Sequence, residues 1–140
     1  MTTPKTLDNR YGSWLDAALQ KVPHTRAAIL GTTDGLLRAH STGIDQDSAE
    51  LLAAALSGTV SLTKAQTEVL GEAATGWVQC ILEYSDCFVV VKAAGANVYL
   101  AATAAKNADM GVLSYTLDDL VHRLGDELDS PVRTSPIAAI

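Results

Sequence analysis

The sequence predicts an α+β domain: a five-stranded antiparallel sheet with helices on both faces, in the order helix-strand-strand-helix-strand-strand-strand-helix. Two observations carry that reading. Five short segments rich in β-branched or aromatic residues are set apart by turn-forming residues or by a long helix, as in hairpin-connected strands. Three longer segments, at the start, middle and end of the chain, repeat apolar residues at helical spacing. Elements with one apolar face bury it by stacking in layers around a shared core.

The first helix is written in "LDNRYGSWLDAALQKV", where Tyr11, Trp14, Leu15, Ala18, Leu19 and Val22 share a face and Pro23 stops the helix. Two strands follow, about Arg26 to Gly31 and Leu36 to His40, joined at Asp34-Gly35, a dipeptide that tolerates the positive φ of a tight turn. The glycine-bearing stretch "AAILGTTDGLLRAH" invites comparison with a phosphate loop. That loop needs a lysine and a hydroxyl directly after its last glycine, and here Gly35 is followed by Leu36 and Leu37, so the hairpin reading prevails.

The segment from Asp47 to about Leu70 reads as one long helix, with Asp47 as N-cap and Glu50 completing a capping box. Its apolar residues fall on two stripes. One holds Leu51, Ala55, Gly58, Leu62, Ala65 and Val69; the other, displaced by about a third of a turn, holds Ala49, Leu52, Leu56, Val60 and Leu70. Glu50, Ser57, Ser61, Lys64 and Glu68 make the polar remainder. A surface helix needs an apolar stripe of about 100°, and this helix has roughly twice that width. One stripe can cover the protein's own sheet; the other calls for a partner. Gly58 points to the first stripe as the partner side, because glycine in a helix interior is about 1 kcal/mol less favourable than alanine and a small residue lets two helices approach closely. The reverse assignment, with Gly58 on the sheet and the Leu52, Leu56, Val60 stripe outward, stays open at this point.

Three further strands are expected in "WVQCILEY", "CFVVVKAA" and "ANVYLAATA", with turns at Ser85-Asp86 and near Gly95. If Ser85-Asp86 is a two-residue turn, Cys80 and Cys87 lie roughly 13 Å apart at strand rise, beyond the ~7 Å limit on Cα separation for a disulfide. Both read as buried thiols. The last helix carries Met110, Leu113, Leu117, Leu120, Val121, Leu124 and Leu128 on one face, opposite Asp118, His122, Asp126 and Glu127. One domain is expected over residues 7–128, with residues 1–6 and the tail 129–140, which holds two prolines and no periodicity, flexible at either side.

At 140 residues the chain suits a single core. A net charge of −6, with ten basic residues and no basic run, argues against nucleic acid and against an anionic membrane surface. No run approaches the ~20 apolar residues of a membrane span, and the N-terminus lacks the apolar segment of a signal peptide, so no membrane insertion and a cytoplasmic location are expected. Catalytic constellations are absent as patterns. His24, His40 and His122 have no neighbours at metal-ligand spacing, no G-x-S-x-G elbow occurs, and the carboxylates Asp118-Asp119 and Asp126-Glu127 read as solvated charge on the last helix. Of Arg10, Arg26, Arg38, Arg123 and Arg133, none is singled out as a residue acting in trans on a GTPase. No catalytic residue, metal or cofactor is expected, and the excess apolar surface points to association.

The element order, together with "VPHTRAAILGTTDGLLRAHSTGID", "LLAAALSGTVSL" and "AATAAKNADMGVLSYTLDDLV", resembles the roadblock family of dynein-light-chain-like proteins, over about Leu7 to Leu128. The resemblance is to the bacterial branch that accompanies small Ras-like GTPases, in a module that also holds a sensor-kinase-like protein. It implies a profilin-like layered fold and a homodimer in which the central helix and third strand of each subunit meet their counterparts. Leu51, Ala55, Gly58, Leu62 and Ala65 would then form a helix-helix contact, and Val78, Cys80 and Leu82 would lie near a strand-strand seam. It further implies a non-enzymatic regulator or scaffold for a GTPase, with no nucleotide binding of its own. A small-molecule sensor of the same layered class is the alternative; it would need a pocket with convergent polar groups.

Overall fold

The computed structural model describes residues 9–73 and 76–128. The segments 1–6 and 129–140, expected to be flexible, lie outside the described residues. Three helices and five strands follow one another as expected: α1 (Asn9–Gln20), β1 (Thr25–Thr32), β2 (Leu37–His40), α2 (Gln46–Leu70), β3 (Gln79–Glu83), β4 (Cys87–Gly95), β5 (Val98–Ala105) and α3 (Met110–Leu128). A short 3₁₀ turn, Gly71–Ala73, follows α2. The strands form one antiparallel sheet in the order β2-β1-β5-β4-β3.

Strand alternation sorts the sheet's side chains into two cores. Ala28, Leu30, Val90, Ala94, Leu100, Ala102 and Ala104 face α1 and α3, where they meet Leu15, Leu113, Leu117, Leu120 and Leu124. Ile29, Val89, Val91, Tyr99 and Ala101 face α2 and meet Ala49, Ala53, Leu56 and Val60. Covered on both sides, β1, β4 and β5 read as continuous apolar runs rather than alternating ones.

Local chemistry sets where each element stops. Pro23 ends α1, and the Thr25 hydroxyl donates to the Val22 carbonyl at 2.9 Å and to the Leu19 carbonyl at 3.2 Å, the latter also accepting from the Val22 amide at 3.0 Å. The first hairpin turns around Asp34-Gly35, as expected. Its loop is Thr33-Asp34-Gly35, closed by Thr32 N–H to the Leu36 carbonyl at 2.9 Å, and only Gly35 takes positive φ, at 99°. A two-residue turn at Asp34-Gly35 would need positive φ at Asp34 as well; one glycine at the last position of a three-residue loop avoids that cost. The Ser85-Asp86 turn is the two-residue kind, with Tyr84 N–H donating to the Cys87 carbonyl at 2.8 Å.

The N-cap of α2 is Asp45, not Asp47. Its carboxylate accepts from the Ser48 amide at 2.8 Å, and that hydrogen bond holds the Asp45 carboxyl below its ordinary value. The helix begins early because Ile44, one residue before the cap, packs on the same core as Ala49, an apolar staple across the first turn. Glu50 does not reach back to the cap; it accepts from Gln46 Nε2 at 2.8 Å. At the other end of the chain Asp109 caps α3, accepting from the Val112 amide at 3.1 Å.

The α2-face core centres on Tyr99, which is fully buried. Its hydroxyl donates to the Ala53 carbonyl in the middle of α2 at 2.8 Å. Its ring lies over Gly31, the residue opposite it on β1, and a Cβ there would come within 2.6 Å of the ring atoms. Burial pushes the phenol pKa up from 10.0 to about 12. Between those values the unfolded chain releases the proton while the folded chain keeps it. The stabilisation is therefore complete below about pH 10 and is lost as pH rises toward 12, by about 2–3 kcal/mol. Denaturant unfolding at pH 9 and at pH 11.5 should show the wild type losing about 2 kcal/mol more than Tyr99→Phe, which has no proton to lose. Parallel losses in the two proteins would refute the buried phenol.

Candidate interaction surface

α2 lies on the sheet through Ala49, Ala53, Leu56 and Val60, all buried, with Leu52 half-buried beside them. The opposite side of the same helix is apolar and open. Leu51 is 74 % exposed, Leu62 66 % and Val69 87 %, and Ala55, Gly58 and Ala65 between them are exposed too. The two stripes are thereby assigned: the Leu52, Leu56, Val60 side covers the sheet, and the Leu51, Ala55, Gly58, Leu62 side faces away. A Cβ on Gly58 would meet nothing within 4 Å, so no contact among the described residues requires a glycine there. Leu70 departs from the expected inward stripe; at the last turn of α2 it is exposed.

β3 is an end strand of the sheet, and its residues alternate between half-buried and exposed. Cys80 and Leu82 turn toward the α2-face core, where Trp77 joins them. Val78 sits one residue before the strand and is exposed, as is Ile81, which points to the other face. The structure thus brings Cys80 and Leu82 to the same side of the sheet as α2, and leaves Val78 at the rim. Cys80 and Cys87 are free thiols, as their spacing requires, but half-buried rather than buried, because both sit on the outer part of the β3-β4 hairpin.

One polar group in the core escaped the sequence reading. Lys92 is 3 % exposed on β4. Its ammonium donates to Gln79 Oε1 on β3 at 2.7 Å, to Asp118 Oδ1 on α3 at 2.8 Å and to Ser114 Oγ at 3.0 Å, using all three protons. Asp118 is therefore a partner to a buried cation and not merely solvated charge. The signal was present: a lysine two residues from Val90 and from Ala94 must share their inward face.

Among the described residues no cluster of three or more His, Cys, Asp and Glu could hold a metal ion. No helix among them is long and apolar enough to cross a membrane. A shallow depression of about 480 Å³ lies between β4 and α3, lined by Ala93, Ala94, Gly95, Val121, His122, Gly125 and Asp126. Its polar side chains, His122 and Asp126, are exposed rather than convergent in a closed site.

Comparison with known proteins places this surface in context. The Roadblock/LC7 domain family matches residues 13–104. A Roadblock/LC7 domain from Streptomyces avermitilis is 34 % identical, with a TM-score of 0.76 over 82 % of this chain and 95 % of that one. Myxococcus xanthus MglB is 13 % identical, with a TM-score of 0.77 over 86 % of this chain and 96 % of its own. The layered fold extends to Acanthamoeba castellanii profilin IA, 12 % identical, with a TM-score of 0.57 over 84 % of this chain and 98 % of that one. No curated protein sequence matches the chain.

The Lys92 cluster yields a stability test in urea. Asp118→Ala leaves a buried ammonium short of its charged acceptor and should cost about 1–3 kcal/mol. Lys92→Met removes the cation and fills the space with an apolar chain of similar length, so its cost should be smaller or nil. The opposite ranking would mean that Lys92 is not the buried member of the pair.

Proposed function

The chain belongs to the Roadblock/LC7 family, and from that premise we infer that it acts as a homodimer that binds a small Ras-like GTPase and modulates its nucleotide cycle or location. It carries out no chemistry of its own and works in the cytoplasm, in a bacterial signalling module that includes a sensor-kinase-like protein. The observation that carries this reading is the outward stripe of α2. Leu51, Ala55, Gly58, Leu62, Ala65 and Val69 form a row about five turns long with nothing from the described residues against it. Large contiguous apolar surface on a folded chain marks an association site. The open edge of β3 continues that site: Val78 lies at its rim, and Cys80 and Leu82 share the side that α2 occupies.

In this dimer Gly58, flanked by Ala55 and Leu62, lets the two copies of α2 approach closely, and each substitution acts twice. The GTPase interaction rests on family membership and on the resemblance that the sequence carries. No phosphate-binding loop accompanies Gly35, so the nucleotide belongs to the partner.

Light scattering and sedimentation test the first half. The wild type should be a dimer. Leu62→Glu should give monomers with native ellipticity, its self-affinity weakened more than a hundredfold, roughly 3 kcal/mol or more, by a pair of like charges brought into the contact. Leu56→Glu should lose the native fold, because that position is 3 % exposed beneath the helix. A Leu62→Glu protein that remains dimeric would remove the stripe from the interface.

The second half is a titration with a Ras-like GTPase loaded with GDP or with a GTP analogue. Calorimetry should show tighter binding to one form, and no binding of free GTP or ATP to this chain. Equal affinity for the two forms would reduce the role to passive scaffolding, since a ligand that does not discriminate two states cannot shift them.

A further inference from the structure

β3 has a sheet neighbour on one side only, and α3 lies over β4, so the α3 side of β3 has little apolar cover: Ile81, in its middle, is 49 % exposed. Two cations hold the strand there, one at each end. Lys92 Nζ, from β4, donates to Gln79 Oε1 at 2.7 Å. Lys106, in the turn before α3, pairs with Glu83 and donates to the Tyr84 carbonyl at 3.1 Å.

The two holds differ in what stands behind them. Lys106 and Glu83 are 36 % and 64 % exposed, and water and salt weaken such a pair. The Lys92 side chain is 4 % exposed, and its other two protons go to Ser114 and Asp118, one turn apart on α3. A buried ammonium needs every acceptor it has. If Asp118 is made neutral, the least costly response is for Lys92 to swing toward water, and that breaks its bond to Gln79 as well. The Asp118 carboxylate is itself 57 % exposed, so one end of this link is a surface group of α3 and the other is the first residue of the edge strand.

We propose that Lys92 couples the surface of α3 to the association edge: Asp118 sets the position of β3, and thereby the strength of self-association, through the buried ammonium. The coupling goes beyond the homodimer reading above and rests on it, since that reading is what puts β3 at the seam. Lys92 sits one strand in from the edge and Asp118 on the helix above, so both are positioning residues rather than groups of the contact. Such a coupling is reciprocal: an edge fixed by a second copy in turn tightens the hold on Asp118.

Sedimentation equilibrium on the full chain reads the coupling. Asp118→Asn keeps the shape and an acceptor oxygen but removes the charge, and should weaken self-association roughly tenfold with native ellipticity unchanged. Lys92→Met should weaken it to a similar degree. Adding Asp118→Asn to Lys92→Met should change nothing further, because the cation through which Asp118 acts is gone. Asp118→Glu keeps the carboxylate and should hold affinity to within about threefold of the wild type. Lys106→Gln, which removes only the exposed hold, should cost less than about threefold. Wild-type affinity in Asp118→Asn overturns the coupling. An undiminished effect of Asp118→Asn in the Lys92→Met background assigns Asp118 a direct contact and overturns it too, as does a loss in Lys106→Gln as large as that in Asp118→Asn.

A wild type that stays monomeric overturns the homodimer reading, and hydrogen exchange then decides the coupling alone. The Cys80 and Leu82 amides share the β4-facing side with Tyr84, whose N–H donates to the Cys87 carbonyl at 2.8 Å. Their exchange should accelerate in Asp118→Asn roughly tenfold more than that of the β2 amides. Equal acceleration in both strands means a general loss of stability and overturns the coupling, and so does no acceleration at all.

Discussion

The hydrogen bond from the Tyr99 hydroxyl to the Ala53 carbonyl fixes how α2 lies on the sheet. The ring beneath it has room only because Gly31 stands opposite on β1. A buried phenol without an acceptor would cost about 1–3 kcal/mol, so the helix cannot roll or slide far without losing this contact. With Ala53 turned down onto the sheet, 3.6 residues per turn bring Ala49, Leu56 and Val60 down with it. The same geometry turns Leu51, Gly58, Leu62 and Val69 to the opposite side. The open apolar stripe is thus a consequence of where one hydroxyl is anchored, and its outward orientation needs no separate cause.

The two faces of the sheet are held by different chemistry. On the α2 face, Tyr99 is neutral and makes one hydrogen bond across a layer of aliphatic contacts. On the other face, Lys92 is charged and joins β4 to β3 through Gln79 and to α3 through Ser114 and Asp118. Taking that ammonium out of water is expensive, and its attraction to one carboxylate does not by itself guarantee a net gain. What the cluster does provide is a fixed geometry between an end strand and the helix above it. β3 has a sheet neighbour on one side only, so a polar link from below compensates for the missing strand.

Much of this was legible in the sequence. The five strands, three helices and their order follow from period and turn signals, and so does the excess apolar width of α2. The orientation of its two stripes was legible only through Gly58, which favoured the outward side that the structure shows but left the reverse open. Leu51 and Leu52 are the same residue type one position apart, and only the tertiary anchor at Tyr99 decides which points inward. The cap of α2 was misplaced by two residues because Asp45 and Asp47 are equally good caps by chemistry; Ile44 selects between them by packing. The Thr33-Asp34-Gly35 loop shows that Asp-Gly marks a turn without stating its length. Asp118 looked like ordinary surface charge because its partner lies 26 positions away, beyond the reach of any local pattern.

The two edges of the sheet complete the argument about association. β2, at one edge, has four residues, its pairing with β1 is interrupted at Arg38, and α1 passes so close that a Cβ on Gly12 would lie 3.0 Å from the His40 carbonyl oxygen. Short, irregular and overlaid edges do not template further strands. β3, at the other edge, has an unbroken ladder and apolar residues on both faces. A sheet with two open edges can stack copies without limit, whereas a sheet with one can add a single copy and then has none left. The proposed pairing through β3 is therefore closed by construction: the surface that drives it is consumed by it. The α2 stripes lie on the same side as Cys80 and Leu82, so a two-fold axis through that edge brings both kinds of surface together in one step.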